Sequence, residues 1–457
     1  MNTSNYNTID YEWLFKPTGD PFANAGGYAL KVFADTFPDD DILQLISRAT
    51  DIYVDKWDSK LNTFFLNSKI TQPAFKPGQK KEETLKYFES LINDVDAKNG
   101  FCRISGRETS VFAAGRDNSV LSGSGKFVNF HHGFDSGIML SKEILIRLFF
   151  LPMSVNLLSG RVCVIDSSNK DISEKFALDN CKNVFSEIAR KCSDGVSKSL
   201  SAAPSTELFR FADKIIKEYD ETEEKNCSLN LYLFTNFGAK PELDIYILPF
   251  EGMDFYRFVN RTKYKDDWQK FISTDYFFYN TKTKKREWAG ENFEIGENEF
   301  RYWKNSIYEN FINGISILSD ILQWSKTNSF NFDIVKYYEL KVRKMKKETI
   351  QKIEQMAEFI FEGNDKFSIE KAVKKLYAVD CSYDLRRFVL KDIVAKYYEK
   401  HADDNLAIVT VDDYANYLFP DTDSWKETRD VLIIALFQKL HAQNMNIEIE
   451  ENNQQNK

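Results

Sequence analysis

The sequence predicts an α+β protein: a mixed α/β N-terminal part that carries a β-hairpin, followed by a C-terminal helical bundle. Three observations predict it. The stretch LNLYLFTNFGAKPELDIYILP, residues 229–249, reads as two alternating strands. In it Leu229, Leu231 and Leu233 interleave with Asn230, Tyr232 and Phe234, and Asp244, Tyr246 and Leu248 with Ile245 and Ile247. Their connection holds Gly238 and Pro241, turn-forming residues. From about Trp303 onward the apolar spacing is helical throughout. Between 104 and 137, by contrast, a glycine- and serine-rich stretch has no helical period and predicts loops with short strands. The domain division drawn from these patterns is 1–330 and 331–457.

Taken in order, residues 26–67 read as helical. Ile42, Leu43, Leu45, Ile46, Ile52 and Val54 follow an aspartate run suited to a helix start. A short helix is expected at 81–95, and GRVCVIDS (160–167) is a short β-branched strand. Helices at about 173–192 and 205–220 precede the solvated acidic run EYDETEEKN. In the C-terminal part Ile353, Met356, Ala357 and Ile360 share one helix face. Gly363 ends that helix, and Ser368 caps the next, with Ile369, Ala372, Val373 and Leu376 inward. Leu385, Phe388, Val389 and Ile393 mark a third helix, 410–419 a short fourth, and Trp425 to Ala442 a fifth. The polar tail IEIEENNQQNK is expected to fray.

At 457 residues and 15% aromatic content the chain can bury sizeable cores, which excludes a disordered class. A formal net charge of −8 argues against polyanion binding over the whole surface but leaves room for local basic strips. The N-terminus has neither a basic segment nor an apolar core, so no signal peptide is expected. The longest apolar stretches, EILIRLFFLPM and VLIIALF, are too short to span a bilayer. Cys102, Cys163, Cys181, Cys192, Cys227 and Cys381 are scattered and read as reduced, buried thiols. A cytoplasmic protein without a membrane partner is expected.

The stretch TGDPFANAGGYAL (18–30) places Gly26 and Gly27 ahead of an apolar run, as in a phosphate cradle or a tight turn. It does not match GxGxxG, and no strand precedes it, so the reading is a close-approach turn into a helix. No HExxH, GxSxG, P-loop or EF-hand pattern occurs. The enzymatic alternative is a stand-alone hydrolase using His131, His132 and Asp135 as metal ligands or an acid/base pair. The basic clusters are more informative. TKTKKREW (281–288) holds Lys282, Lys284, Lys285 and Arg286 in a turn beside Tyr279 and Trp288. KVRKMKK (341–347) reads as helical, with Arg343, Lys346 and Lys347 on one side and Lys341 and Lys344 on another. DLRRF adds Arg386 and Arg387, and the loop region carries Arg103, Arg107, Arg116 and Lys126. Such runs are either solvated faces, basic faces that meet acidic protein partners, or phosphate contacts that release counterions on binding.

TGDPFANAGGYAL, KFVNFHHGFDSGIMLSKEILIRLFFLPM (126–153) and LNLYLFTNFGAKPELDIYILP, in that order, resemble the large subunit of the type I-B CRISPR Cascade complex, a group named for paired CXXC motifs. The resemblance covers the first 250 residues by motif and the rest by architecture. It implies a non-enzymatic subunit that binds the guide RNA end and target double-stranded DNA. Such a subunit senses the flanking motif, stabilises the R-loop, contacts other Cascade subunits and recruits the helicase-nuclease. Asn24, with Gly26 and Gly27, is then the residue best placed to reach a phosphate or base edge, and Lys126 and Asn129 are further candidates. At the places of the two CXXC pairs stand Cys102 and Ser105, and Ser141 and Ile144. Three of four zinc ligands are missing, and neither metal nor cofactor is expected. The C-terminal bundle resembles a Cascade small subunit, which in this family can be made separately from an internal start; Met345 or Met356 would serve here.

Overall fold

In the computed structural model the described residues are all except 123–136, 219–226, 239–240, 291–301, 363–364, 402–406, 421–423 and 446–457. The chain forms two compact units. One comprises Met1–Phe250 with Ile295–Lys304, the other Glu251–Glu294 with Asn305–Lys457. Small antiparallel sheets lie in the first unit and early in the second, and helices make up the rest, so the fold class is α+β.

The first unit runs α1 (Pro21–Thr36), α2 (Ile42–Asp51), α3 (Pro77–Ile92), β1 (Lys98–Phe101), β2 (Glu108–Ala114), β3 (Ile138–Ser141), α4 (Lys142–Phe150), β4 (Asn156–Leu158), β5 (Arg161–Ser167), α5 (Lys170–Ala189), α6 (Pro204–Glu218), β6 (Leu229–Thr235) and β7 (Glu242–Leu248). Strands β1–β2–β3 form one sheet and β4–β5–β6–β7 another. The expected hairpin is β6–β7, with Tyr232 opposite Ile245. Alternation gives β6 two apolar sides. Leu229, Leu231 and Leu233 are buried on one. On the other, Tyr232 and Phe234 meet Phe22 of α1 at ring distances of 5.7 and 5.0 Å. Helix α1 also places Phe33 against Phe150 and Phe185, which ties the N-terminal segment into the core.

The helical expectation for 26–67 divides in the structure. Asp41 caps α2 through a capping box with Gln44, and the helix opens into a wider turn over Ile52–Lys56. Beyond it the backbone turns with Asp58 and Ser59 at positive φ. Four cysteines are buried, but Cys192 and Cys381 are exposed, one just beyond α5 and the other in the N-cap position of a later helix.

The second unit contains α7 (Phe250–Val259), α8 (Lys265–Ser273), β8 (Tyr276–Asn280), β9 (Lys285–Trp288), α9 (Ser306–Ile312), α10 (Leu318–Ser325), α11 (Phe332–Lys341), α12 (Lys347–Phe361), α13 (Lys366–Tyr377), α14 (Ser382–Phe388), α15 (Ala395–Lys400) and α16 (Trp425–Ala442). Phe255 on α7 packs its ring against Trp268, Phe311 and Tyr338, joining α7 and α8 to α9 and α11. Compactness therefore divides the chain near 250, whereas the change in composition falls some fifty residues later; the aromatic residues of α7 and α8 belong with the helices that follow. Helix α16 is buried continuously from Val431 to Phe437 and is enclosed by α10, α11, α12, α13 and α14. Among the described residues no helix is long and apolar enough to cross a membrane.

Two expectations in this unit are corrected. Asp365, not Ser368, caps α13: its carboxylate accepts the Ser368 amide at 2.9 Å. The run 341–347 is not one helix. Helix α11 ends at Lys341, α12 begins at Lys347, and Lys344 between them sits at φ 65°.

Candidate nucleic-acid interface

The glycine-rich stretch near the N-terminus answers to packing. Asp20 caps α1 by accepting the Ala23 amide at 2.7 Å, and Pro21 starts it without wasting a donor. Gly26 and Gly27 thus lie inside the helix, not in a turn before it, and both are buried. A Cβ on Gly26 would sit 2.0 Å from the Arg147 carbonyl oxygen of α4, and one on Gly27 2.8 Å from the Arg147 Nε. Arg147 is 1% exposed. Its guanidinium donates to the carbonyls of Ala23 (2.8 Å) and Lys16 (2.7 Å) and to Asn24 Oδ1 (2.9 Å). Asn24 Oδ1 also accepts the Thr18 amide at 2.9 Å. Burial pulls the guanidinium pKa down to about 10, with Asp20 opposing the shift, so the charge persists at neutral pH. Gly26 and Gly27 are therefore withdrawn as nucleic-acid contacts, because neither has surface to offer. Asn24 spends its oxygen on Arg147 and Thr18.

The other proposed cations separate into those the chain uses and those it leaves outward. Arg107 pairs with Asp10 at 2.7 Å and lies over the Trp13 ring at 4.7 Å. Arg116 donates to the carbonyls of Asn236 and Gly238, both at 2.6 Å. Asn236 is fully buried and itself bonds Phe64, Ser119 and Leu121, so Arg116 belongs to a structural clamp. In the 341–347 connection, Arg343 bonds Glu427 (2.6 Å), Lys344 bonds Glu251 (2.8 Å) and Lys346 bonds the Asn416 carbonyl (3.2 Å). Lys341 lies over Tyr337 at 5.8 Å, and Lys347 is exposed at the start of α12. Arg386 lies over Phe419 at 5.2 Å, while Arg387 is exposed. The two-sided basic helix read from sequence is thus a connection whose charges mostly serve its own unit. Lys126, Asn129, His131, His132 and Asp135 lie outside the described residues.

The β8–β9 hairpin gathers the outward group. Phe277 anchors it at 4% exposure, its ring tilted against Trp288 (5.2 Å) and lying under Arg286 (4.7 Å). Asn280 shapes the loop: its side-chain oxygen accepts the Lys282 amide at 2.9 Å, and its carbonyl accepts the Lys284 amide at 2.8 Å. Lys284 closes the loop at φ 55°, a conformation that costs a non-glycine residue about 1 kcal/mol. Lys282, Lys284, Lys285 and Arg286 are all exposed, and among the described residues the three ammonium groups make no ion pair or hydrogen bond. Tyr279, opposite Arg286 in register, is 56% exposed, and Trp288 41%. Exposed rings beside unpaired cations can stack on bases while the cations neutralise phosphates.

Where the resemblance assigns metal ligands, Cys102 is buried in the β1–β2 turn and its sulfur accepts the Ser105 amide at 3.5 Å. Ser141 and Ile144 are buried at the start of α4. Sequence reasoning missed Arg147; its signal was a lone cation in the apolar run EILIRLFF. No protein-family model matches this chain, and no characterised protein matches its sequence.

Proposed function

We propose that this chain is a nucleic-acid-binding, non-enzymatic large subunit of an RNA-guided type I CRISPR surveillance complex, acting in the cytoplasm. Guide RNA, target double-stranded DNA, other Cascade subunits and a helicase-nuclease are its partners. The observation that carries the reading is the β8–β9 hairpin, where four exposed basic residues on a hydrogen-bonded loop are flanked by two exposed aromatic rings, on a chain of net charge −8. The ordered sequence motifs supply the family. Arg343 and Lys344 spend their charge on Glu427 and Glu251, which weakens the alternative of a scaffold whose basic helix meets acidic partners.

Of the two internal starts, Met345 suits a separate small subunit better. It precedes α12 and leaves α12–α16 whole, whereas Met356 is buried in the middle of α12. Such a fragment lacks α10 and α11 and bares the face of α16 that they cover. The test of the function is binding by the isolated chain to single-stranded and duplex oligonucleotides between 50 and 200 mM salt. A binding constant that falls steeply with salt supports the reading. Absence of binding at the lowest salt overturns it.

A further inference from the structure

A cavity of about 100 Å³ lies in the first unit, between α3, α4 and the segments around Phe65 and Asn118. Its floor is apolar and buried, formed by Phe65, Ile70, Phe88, Leu145 and Phe149. The Phe149 ring lies 4.7 Å from Phe88 and stacks on Phe65 at 6.4 Å. One polar group on this floor is unsatisfied: Thr84 is 3% exposed, and among the described residues its hydroxyl has no hydrogen-bond partner. A threonine inside a helix can turn its hydroxyl back to the carbonyl four residues earlier, and Thr84 on α3 does not. A buried hydroxyl without a partner destabilises the fold, and an oxygen brought into the cavity would remove that cost. Tyr87, three residues on along the same face of α3, lines the same cavity. Its hydroxyl accepts Asn118 Nδ2 at 2.9 Å, while Asn118 Oδ1 accepts the Gly115 amide at 2.9 Å, which fixes the direction of that side-chain amide. The phenol hydrogen is left to donate, and burial raises the phenol pKa, with Asn118 opposing the shift, so that hydrogen is kept. Asn67, Lys69 and Asp117 are exposed at the rim, where Lys69 is paired with Glu83 at 3.5 Å. A cavity of roughly 150 Å³ holds a benzene ring, so one of 100 Å³ holds, in proportion, about four heavy atoms.

We infer that this cavity is a binding site for a neutral acetyl group carried on an amide nitrogen. Methyl, carbonyl carbon, oxygen and nitrogen match the space. The methyl lies against the phenylalanine rings, and the Thr84 and Tyr87 hydroxyls donate to the carbonyl oxygen, whose two lone pairs accept both. Asp117 at the rim accepts the amide N–H, and the remainder of the ligand leaves there. A carboxylate of the same shape is refused, because the lysine at the rim is already paired and Asp117 repels a negative charge. This inference goes beyond the nucleic-acid reading and does not depend on it.

The test is methyl NMR on the full-length chain with labelled isoleucine and leucine methyls, titrated with N-methylacetamide, acetone and acetate. So small a ligand binds no tighter than tens of micromolar, so each titration runs to about 50 mM. N-methylacetamide is expected to shift the Ile70 and Leu145 methyl signals saturably, and this arm needs no variant to fold. Acetone, which lacks the N–H, is expected to bind about fivefold more weakly, and acetate is expected to leave those signals unmoved. Thr84→Val keeps the shape and removes the hydroxyl. It is expected to weaken N-methylacetamide binding about fivefold, while its melting temperature without ligand stays at or above that of the wild type, because the hydroxyl it loses has no partner. Unmoved Ile70 and Leu145 signals, wild-type affinity in Thr84→Val, or a lowered melting temperature in that variant would each overturn the site. Acetone or acetate binding as tightly as N-methylacetamide would overturn the acetamide assignment. Oligonucleotide binding is expected to be the same in Thr84→Val as in the wild type, so this site and the proposed function fail separately.

Discussion

Arg147 shows how much one buried side chain can decide. A guanidinium 1% exposed survives because carbonyl oxygens and Asn24 satisfy its donors, and because two glycines leave it room. Gly26→Ala would drive a methyl group into the Arg147 carbonyl and is expected to lower stability by about 3 kcal/mol, read by chemical denaturation. Gly27→Ala meets side-chain atoms that can shift and should cost less. The motif was legible as a close approach, but its direction was not: glycine spacing reports that something comes near, and only the fold says whether it is a phosphate or a neighbouring helix. Glu339 on α11 offers a pH test. It is fully buried, and among the described residues neither carboxylate oxygen has a hydrogen-bond partner. Burial, with Glu427 and Asp430 adding to it and Arg343 opposing, raises its pKa to about 8. The folded state therefore holds this proton more tightly than the unfolded chain. Its contribution is complete below the ordinary carboxyl range and is lost as pH rises through about 8. Thermal melts from pH 5 to 9 should show the stability of the second unit falling, and Glu339→Gln should flatten that slope.

At the scale of elements, the contrast between the two basic runs is the useful one. TKTKKREW was legible as a turn beside Tyr279 and Trp288, and the structure closes that turn as the β8–β9 hairpin. KVRKMKK was misread as a helix because Lys, Arg and Met are all good helix formers, and no proline or glycine marks the break. The break is set by tertiary contacts instead: the Met345 amide bonds the Glu339 carbonyl, and Arg343 and Lys344 reach partners on α16 and α7. The two runs should then respond oppositely to charge removal. Replacing Lys282, Lys284, Lys285 and Arg286 by Gln should leave the melting temperature within about a degree of wild type, because among the described residues the three ammonium groups bond nothing and Arg286 only lies over Phe277. Arg343→Gln should destabilise by about 1 kcal/mol, because Glu427 loses a partner that donates to it through two nitrogens. Equal effects on stability would contradict this division of labour.

Across the whole molecule, composition gave the class and the strand pattern gave the β6–β7 hairpin, but the boundary near 250 was invisible. Helices α7 and α8 are joined to the second unit by aromatic packing, and nothing in the local sequence records which side of a boundary a Phe will choose. The acidic total likewise hid where positive charge survives unpaired, since that depends on which lysines find carboxylates after folding. The central claim is that the β8–β9 hairpin grips a sugar-phosphate backbone. The most direct measurement is the salt dependence of oligonucleotide binding by the wild-type chain and by the variant with Lys282, Lys284, Lys285 and Arg286 changed to Gln. The account predicts that the variant binds more weakly and that its log–log slope is shallower by about 0.7 for each charge that had met a phosphate. Identical affinity and slope for the two proteins would contradict it.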